Sequence, residues 1–120
     1  MKASRFIQKY TFEQRLKCSG ELLAKYPERI PIICEPAPRP NIDVSKYDKT
    51  KYLVPAETSI GKFLLTIREK LSLTPDVAIF LFVADSTLPS PSSNISSLYK
   101  RYKAEDGFLY FQFAGESTFG

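Results

Sequence analysis

The chain has 120 residues, of which 43% are hydrophobic and 25% are charged, a composition typical of one soluble globular domain with its own core. It has no histidine and only two cysteines, which excludes Ser-His and Cys-His nucleophile pairs, a disulfide framework and a thiolate metal site. No apolar run approaches the roughly 20 residues that cross a bilayer, and no signal region follows the basic N-terminus, so we expect a cytosolic protein.

The formal net charge of +4 is concentrated at the N-terminus. Residues 1–30 hold seven basic and three acidic side chains, whereas the rest of the chain holds ten of each sign. Such a basic face favours an acidic partner or lipid headgroups, although a solvated helix face would carry the same charges.

The first elements in chain order are two helices. Residues 11–14 (Thr-Phe-Glu-Gln) have the form of a capping box, and apolar residues then recur at helical spacing up to Pro27. A helix is therefore predicted over residues 11–25, with Phe12, Leu16, Leu23 and Tyr26 on its apolar face. A shorter helical turn is predicted over residues 4–9.

Two short β-branched segments follow the helices. Residues 29–34 and 51–55 are predicted strands, and the proline-rich residues 35–41 between them are a predicted stiff loop. Pro31 has no backbone donor, so it predicts that the first strand lies at a sheet edge or ends there.

The middle of the chain predicts a long helix and a buried strand. Ser59 is a candidate N-cap, and the apolar residues that follow it have a clear helical period up to Leu71. Residues 74–76 predict a brief turn with proline at the first helical position. Residues 79–83 form a continuous apolar run, which predicts a strand covered on both faces.

The last third predicts a loop, a short helix and a final strand. Residues 85–97 are rich in serine and proline, and a short helix is marked by Ile95, Leu98, Tyr99 and Tyr102. Residues 108–113 are the last predicted strand. Its face with Phe108, Tyr110 and Gln112 is more amphipathic, so we expect that face to lie nearer the surface.

This order of elements predicts an α+β fold of the β-grasp type. It consists of a four-stranded mixed sheet crossed by one helix, with two extra N-terminal helices. Residues 1–27 are expected to form a helical extension packed on the core, residues 28–114 the core, and residues 115–120 a flexible tail.

Eight segments of the chain resemble one family in order and spacing. They resemble the autophagy ubiquitin-like modifiers, the family of GABA-receptor-associated protein and microtubule-associated light-chain-three proteins. The matching segments are residues 12–13, 25–31, 51–55, 60–63, 67–68, 78–83, 105–110 and 119–120. The resemblance implies a ubiquitin-like fold in a monomeric protein that is not an enzyme, needs no metal or cofactor and does not bind nucleic acid.

The resemblance also implies a chemical role for the carboxylate of Gly120. In the family, an activating enzyme and a conjugating enzyme transfer the terminal glycine to the amine of phosphatidylethanolamine on autophagosomal membranes, and a cysteine protease processes and deconjugates the protein. A residue without Cβ suits this chemistry because its acyl carbon is unhindered. The partner enzymes supply the thiolate nucleophiles.

A second implication is a groove for short peptides that carry an aromatic residue, two variable positions and an aliphatic residue, as cargo receptors and adaptors do. Such a peptide adds a strand to an open sheet edge. The aromatic pocket would consist of Leu22, Pro31, Ile33, Lys51, Leu53 and Phe108. The aliphatic pocket would consist of Tyr52, Val54, Pro55, Phe63 and Ile67. Arg68 would pair with a peptide carboxylate, since its planar fork matches that geometry. Lys51 and the basic N-terminus would attract acidic flanking residues.

Three positions depart from the family pattern in this groove. Cys18 stands where the family usually has an acidic residue beside the aromatic pocket. Thr58 and Thr66 stand where aliphatic residues usually line the second pocket, and each adds a hydroxyl that needs a partner. Peptide preference is therefore expected to differ from that of other members, whereas the terminal glycine is unaffected.

Two alternatives to a conjugated modifier stay open. An unconjugated adaptor would bind peptides, trafficking proteins or cytoskeletal proteins without modification of Gly120. A ubiquitin-like carrier in sulfur transfer or protein tagging is disfavoured, because such carriers end in a glycine pair and Phe119 precedes Gly120 here. Whether a precursor extends beyond Gly120 is open as well.

Overall fold

The computed structural model describes residues 4–84 and 87–116. The helices are α1 (Arg5–Lys9), α2 (Phe12–Lys25), α3 (Ile60–Leu71) and α4 (Ile95–Tyr102). The strands are β1 (Arg29–Pro36), β2 (Lys51–Pro55), β3 (Phe80–Val83) and β4 (Leu109–Ala114). The order of elements is the predicted one.

Side-chain caps fix where the first three helices begin. Thr11 and Gln14 form the predicted capping box, with each side-chain oxygen accepting from the other residue's backbone N–H at 3.1 and 2.9 Å. Ser4 accepts from the Ile7 N–H before α1, and Ser59 accepts from the Lys62 N–H before α3. These bonds satisfy amides that have no partner within the helix.

The four strands form one mixed sheet in the order β2-β1-β4-β3. Strands β1 and β2 are antiparallel, β1 and β4 are parallel, and β3 and β4 are antiparallel. Parallel pairing of the first and last strands through a crossing helix is the α+β β-grasp arrangement that the element order predicts, and the prediction is confirmed.

The main core lies between the sheet and α3. Phe63 and Ile67 of α3 are buried against Ile32 of β1 and Phe111 of β4. The helical period of α3 and the alternation of the strands bring these apolar side chains to the same interface. Burial of apolar surface here is the principal stabilisation of the fold.

The opposite face of the sheet is covered by α1 and α2. Ile33, Phe108 and Tyr110 form a second cluster there, with Phe6 of α1 and Leu22 of α2 packed against it. The expectation that the Phe108 and Tyr110 face lies near the surface is wrong, since these residues are only 0% and 7% exposed. The N-terminal helices exclude water from a face that the amphipathic pattern of β4 alone predicts as superficial.

The packing face of α2 also differs from the prediction. Phe12 and Leu16 are 44% and 45% exposed. The side chains turned toward the sheet are those of Ser19, Leu22 and the half-buried Arg15. Arg15 and Ser19 are held on this face by buried hydrogen bonds, which the spacing of hydrophobic residues in a sequence cannot predict.

Strand β1 is central in the sheet, so the edge position that Pro31 predicts is wrong, whereas the alternative of a strand end holds for the ladder with β4. The Cys34 N–H donates to the Thr50 carbonyl at 2.8 Å, which places even-numbered β1 residues in hydrogen-bonded pairs with β2. The Pro31 nitrogen therefore points away from β2, and pairing with β4 begins only at Ile32. The missing donor breaks no ladder bond, and β1 continues to Pro36 through part of the predicted loop.

Candidate functional site

Strand β2 presents a free edge. It pairs with β1 on one side and has no described strand on the other. Because Tyr52 and Val54 occupy the hydrogen-bonded positions opposite β1, the backbone groups of Lys51 and Leu53 point outward. The Leu53 carbonyl accepts a hydrogen bond from the Arg29 guanidinium at 3.4 Å. An exposed edge of this kind can take an additional strand.

The structure brings the predicted aromatic-pocket residues to one face of the sheet, beside α2. The register pairs Pro31 with Leu53 and Ile33 with Lys51, so these side chains share a face. Ile33 and Phe108 are fully buried and form the floor with the half-buried Leu22 above it.

Sequence reasoning missed other members of this cluster. They are Phe6, Ile7, Ala104 and Tyr110, whereas Cys18, which was expected beside this pocket, also packs against the cluster. Tyr110 lies two positions after Phe108, so the period of the strand carried a signal for it. The α1 residues gave no such signal, because the docking of a five-residue helix depends on tertiary contacts.

Lys51 stands at the rim of this first pocket. Its Nζ donates to the Cys18 Sγ at 3.7 Å, and its side chain is exposed. Among the described residues the ion pair within 4 Å joins Arg15 and Asp106, so Lys51 has no carboxylate partner there.

The second predicted pocket lies at the other face of β2, toward α3. The Tyr52 and Phe63 rings meet edge to face with centroids 5.5 Å apart. Tyr52, Phe63 and Ile67 are almost fully buried, so they belong to the core and can form only the floor, whereas Val54 is half-buried. Pro55 is not brought together with them, because its register opposite Arg29 places it on the Leu53 side of the strand.

A hydroxyl network fixes the floor of the second pocket. The Tyr52 hydroxyl donates to the Lys49 carbonyl at 2.9 Å and lies 3.0 Å from the Tyr47 hydroxyl. The Tyr47 hydroxyl donates to the Cys34 carbonyl at 2.6 Å. Burial raises the pKa of Tyr52 to about 12 and raises the pKa of the Cys34 thiol far above its ordinary range. Cys34 is therefore a neutral core residue and not a nucleophile.

The Arg68 side chain already makes hydrogen bonds within the fold. Its guanidinium donates to the carbonyls of Val77 at 2.6 Å and Thr74 at 3.2 Å. These bonds anchor the turn between α3 and β3. The predicted pairing with a peptide carboxylate would have to use the remaining N–H groups.

Thr66 finds a partner for its hydroxyl within α3. Its Oγ1 donates to the Lys62 carbonyl one turn earlier at 3.5 Å, at the outer limit for a hydrogen bond. Thr58 lies before α3, where its carbonyl accepts the Ile95 N–H at 2.8 Å and positions α4. The hydroxyl of Thr66 is therefore satisfied within its own helix, and the Thr58 backbone helps to position α4.

Two buried carboxylates attach the N-terminal helices to the sheet. Asp106 accepts from the Arg15 Nε at 2.9 Å and from the Phe108 N–H at 3.0 Å. Glu35 accepts from the Ser4 hydroxyl at 2.5 Å and from the Phe6 N–H at 3.1 Å. The two acids are 2% and 5% exposed. The sequence predicted a turn at Asp106 and a loop at Glu35, and their anchoring roles depend on contacts between residues distant in sequence.

The tail leaves the sheet beside the loop that follows β1. After β4 ends, the Gly115 N–H donates to the Pro40 carbonyl at 2.6 Å. A Cβ at Gly115 would lie 2.9 Å from the Asn41 carbonyl oxygen, so only glycine fits without a shift of this backbone. Gly120, the predicted conjugation residue, lies outside the described residues.

The mixed β2-β1-β4-β3 sheet crossed by α3 defines a ubiquitin-like protein, here with α1 and α2 added on the open face. The model of the family described as "Autophagy protein Atg8 ubiquitin like" matches residues 14–120. The chain belongs to this family, as the sequence resemblance predicted.

Individual relatives agree with this assignment. The chain is 44% identical over 117 residues to autophagy-related protein 8 of Mycosarcoma maydis, covering 98% of this chain and 97% of that protein. It is 43% identical to autophagy-related protein 8 of Schizosaccharomyces pombe, covering 98% and 94%. The crystal structure of Trypanosoma brucei ATG8 is similar with a TM-score of 0.86 at 36% identity, covering 98% of each chain. Plasmodium falciparum Atg8, solved in complex with a Plasmodium falciparum Atg3 peptide, is similar with a TM-score of 0.85 at 30% identity, covering 97% and 99%.

Within the described residues, no helix has the length and apolar character needed to span a lipid bilayer.

Proposed function

We propose that this chain is a non-enzymatic modifier of autophagy that is conjugated through the carboxylate of Gly120 to phosphatidylethanolamine. Membership of the Atg8 family carries this proposal, and the family match extends through residue 120. Cys34 is buried and protonated, which agrees with a protein whose partners supply the nucleophiles. Conjugation would place a cytosolic protein on autophagosomal membranes. Its partners would be the activating and conjugating enzymes and the processing and deconjugating cysteine protease.

Reconstituted conjugation tests this part of the proposal. The purified chain is incubated with ATP, activating enzyme, conjugating enzyme and vesicles that contain phosphatidylethanolamine, and the lipid adduct is measured by intact mass. Gly120→Ala should abolish the adduct, because a methyl group at the acyl carbon hinders thioester transfer. Glu116→Gln, in the same tail, should conjugate normally. Persistent conjugation of the Gly120→Ala protein would contradict the proposal.

We also propose that the β2 edge and its two pockets bind aromatic-x-x-aliphatic peptides of cargo receptors and adaptors. The outward backbone groups of Lys51 and Leu53 supply main-chain hydrogen bonds, and the apolar floors on either side receive the two anchors. The Plasmodium falciparum relative was solved with an Atg3 peptide, which supports peptide binding as a property of this fold. Proposed contacts in the first pocket are Leu22, Pro31, Ile33, Lys51, Leu53 and Phe108. Those in the second are Tyr52, Val54, Phe63 and Ile67.

Calorimetry with matched peptides tests the groove. A peptide with a tryptophan and a leucine three positions later should bind, and the same peptide with alanine at both anchors should not. Leu53→Pro removes one outward N–H and should weaken binding about fivefold or more, since one net hydrogen bond contributes about 1 kcal/mol. Leu65→Ala, on the exposed side of α3, is the matched control and should bind as the unmodified chain does. Equal affinity for both peptides would contradict the groove.

A second candidate function is an unconjugated adaptor, which would act without modification of Gly120. Such a protein would bind peptides and give no lipid adduct in the reconstituted reaction. The two assays together therefore separate the candidates.

A further inference from the structure

The C-terminal half of α4 carries a cluster of positive charge. Lys100, Arg101 and Lys103 occupy three of four consecutive positions, and all three side chains are exposed. In the part of the chain that the structure describes, the ion pair within 4 Å joins Arg15 to Asp106, so no carboxylate there neutralises this cluster. These three residues, the α4 cations, belong to neither of the two proposed peptide pockets.

Two tyrosines restrain the α4 cations. The Arg101 guanidinium lies 5.3 Å from the centroid of the Tyr102 ring, and the Lys103 ammonium lies 5.6 Å from that of the Tyr99 ring. Both rings pack against the main core, and the Tyr99 hydroxyl donates to the Gly107 carbonyl at 2.8 Å. Cation–π contacts with fixed rings reduce the side-chain freedom that is lost when a partner binds.

The surroundings of the α4 cations favour an acidic protein segment over a membrane or a nucleic acid. The apolar residues Ile95 and Leu98 of α4 are buried, so this helix has no exposed apolar face to enter a bilayer. Nucleic-acid binding depends on a basic surface broad enough for many phosphate contacts, and three neighbouring cations do not provide one. Carboxylates of one peptide segment match the cluster in charge and in extent.

The α4 cations lie at the opposite end of β4 from the tail. The segment 103–108 connects α4 to the start of β4, whereas the tail follows Ala114 at the other end of the strand. A strand of six residues spans roughly 17 to 20 Å. A partner on α4 therefore does not compete for space with an enzyme or a lipid at the tail.

We propose that Lys100, Arg101 and Lys103 form a docking surface for an acidic segment of a partner protein, whose carboxylates pair with the three cations. Each exposed ion pair contributes little, so the surface suits a transient partner. This inference goes beyond the proposed conjugation and peptide groove and depends on neither.

Fluorescence anisotropy with a labelled peptide of alternating glutamate and alanine tests the surface. The peptide has no aromatic or aliphatic anchor for the groove, and its matched control has glutamine in place of every glutamate. The unmodified chain should bind the glutamate peptide in about 50 mM salt and should not bind the glutamine peptide. About 1 M salt should abolish the binding, because salt screens exposed charge pairs.

Two triple variants locate the binding. Replacement of the three α4 cations by glutamine should weaken it about tenfold, as expected for the loss of three exposed charge pairs. The control variant removes the same charge from other exposed positions and should weaken binding less than about twofold. It carries Lys46→Gln, Lys62→Gln and Lys70→Gln.

A charge-keeping variant separates binding from helix stability. Lys100 and Arg101 lie in the last turn of α4, where cations also interact favourably with the helix dipole. Lys100→Arg combined with Lys103→Arg keeps every charge and should bind as the unmodified chain does. Amide NMR shifts of the unmodified chain should map the peptide to residues 99–104 without any substitution.

The inference would be overturned by an unmodified chain that does not bind the glutamate peptide, by equal weakening in the two triple variants, or by NMR shifts confined to α2 or α3. The assay contains neither a groove peptide nor a lipid. Its failure would therefore leave the proposed function intact, and failure of the conjugation or groove assays would leave this surface intact.

Discussion

The two faces of the sheet are held by different kinds of interaction. On the α3 face, apolar side chains such as Phe63 and Phe111 pack against each other, with ring centroids 5.6 Å apart. On the α1–α2 face, a smaller apolar cluster is joined to the helices by two buried carboxylates, Asp106 and Glu35. The first face resists opening through buried area. The second depends on a few directional bonds, so we expect it to open more readily.

The largest expected effect is on the α3 face. Phe63→Ala should lower the free energy of unfolding by about 3 to 5 kcal/mol, because it leaves a cavity where the ring was fully buried. Urea denaturation followed by circular dichroism measures this. Leu65→Ala, at a side chain that is 60% exposed on the same helix, should change the stability by less than about 0.5 kcal/mol. Similar losses for the two variants would contradict the assigned core.

The next effect is at Asp106. Asp106→Asn removes the charge that pairs with Arg15 and should cost about 1.5 to 3 kcal/mol, the range for hydrogen bonds to charged groups. Amide hydrogen exchange should show that α2 loses protection before α3 does. Glu105→Gln, its exposed neighbour, is the control. A uniform loss of protection in both helices would argue against separate stabilities of the two faces.

A smaller effect is expected at Glu35. Glu35→Gln keeps one acceptor for α1 and should cost about 1 kcal/mol, with the loss confined to the amides of α1. Exchange rates of the α1 amides should rise while those of α2 change little. Glu28→Gln, at an exposed position before β1, should leave both unchanged.

The last predicted effect appears only in alkaline solution and is absent at neutral pH. The folded pKa of Tyr52 is raised to about 12 from an ordinary value of about 10, so between these pH values the unfolded chain binds fewer protons than the folded one. This contribution to stability is complete below about pH 10 and is lost as the pH rises to about 12. Tyr52→Phe should reduce the slope of unfolding free energy against pH in this window. An unchanged slope would show that other groups account for it.

The purely apolar α3 face of the sheet was predictable from the sequence, whereas the partly polar α1–α2 face was not. The spacing of Ile60, Phe63, Ile67 and Leu71 was sufficient to predict α3 and its buried side, because that side is purely apolar. The helical spacing of Phe12 and Leu16 predicted the wrong packing face for α2. The packed face contains Ser19, whose hydroxyl donates to the Asp106 carbonyl at 2.5 Å. A hydroxyl bonded across 87 residues leaves no periodic signal.

The candidate site was predictable for a related reason. For the pocket residues on strands, the alternation of side chains predicts the face of the sheet once the register is known, as for Ile33 and Phe108. The exception is Pro55, which alternation places on the face opposite Tyr52 and Val54. The resemblance placed both Cys18 and Lys51 at the first pocket, whereas periodicity could not, because their contact joins a helix to a strand 33 residues later.

The open edge of β2 has a consequence for the solution behaviour of the chain. An unpaired strand edge is a template for self-association, and short length, lysine and proline are the usual protections. Strand β2 has five residues, begins with Lys51 and ends with Pro55, which lacks an N–H. Few ladder bonds are thus available to a second copy. The β2 edge is thereby a poor template for continued sheet extension and fibre growth.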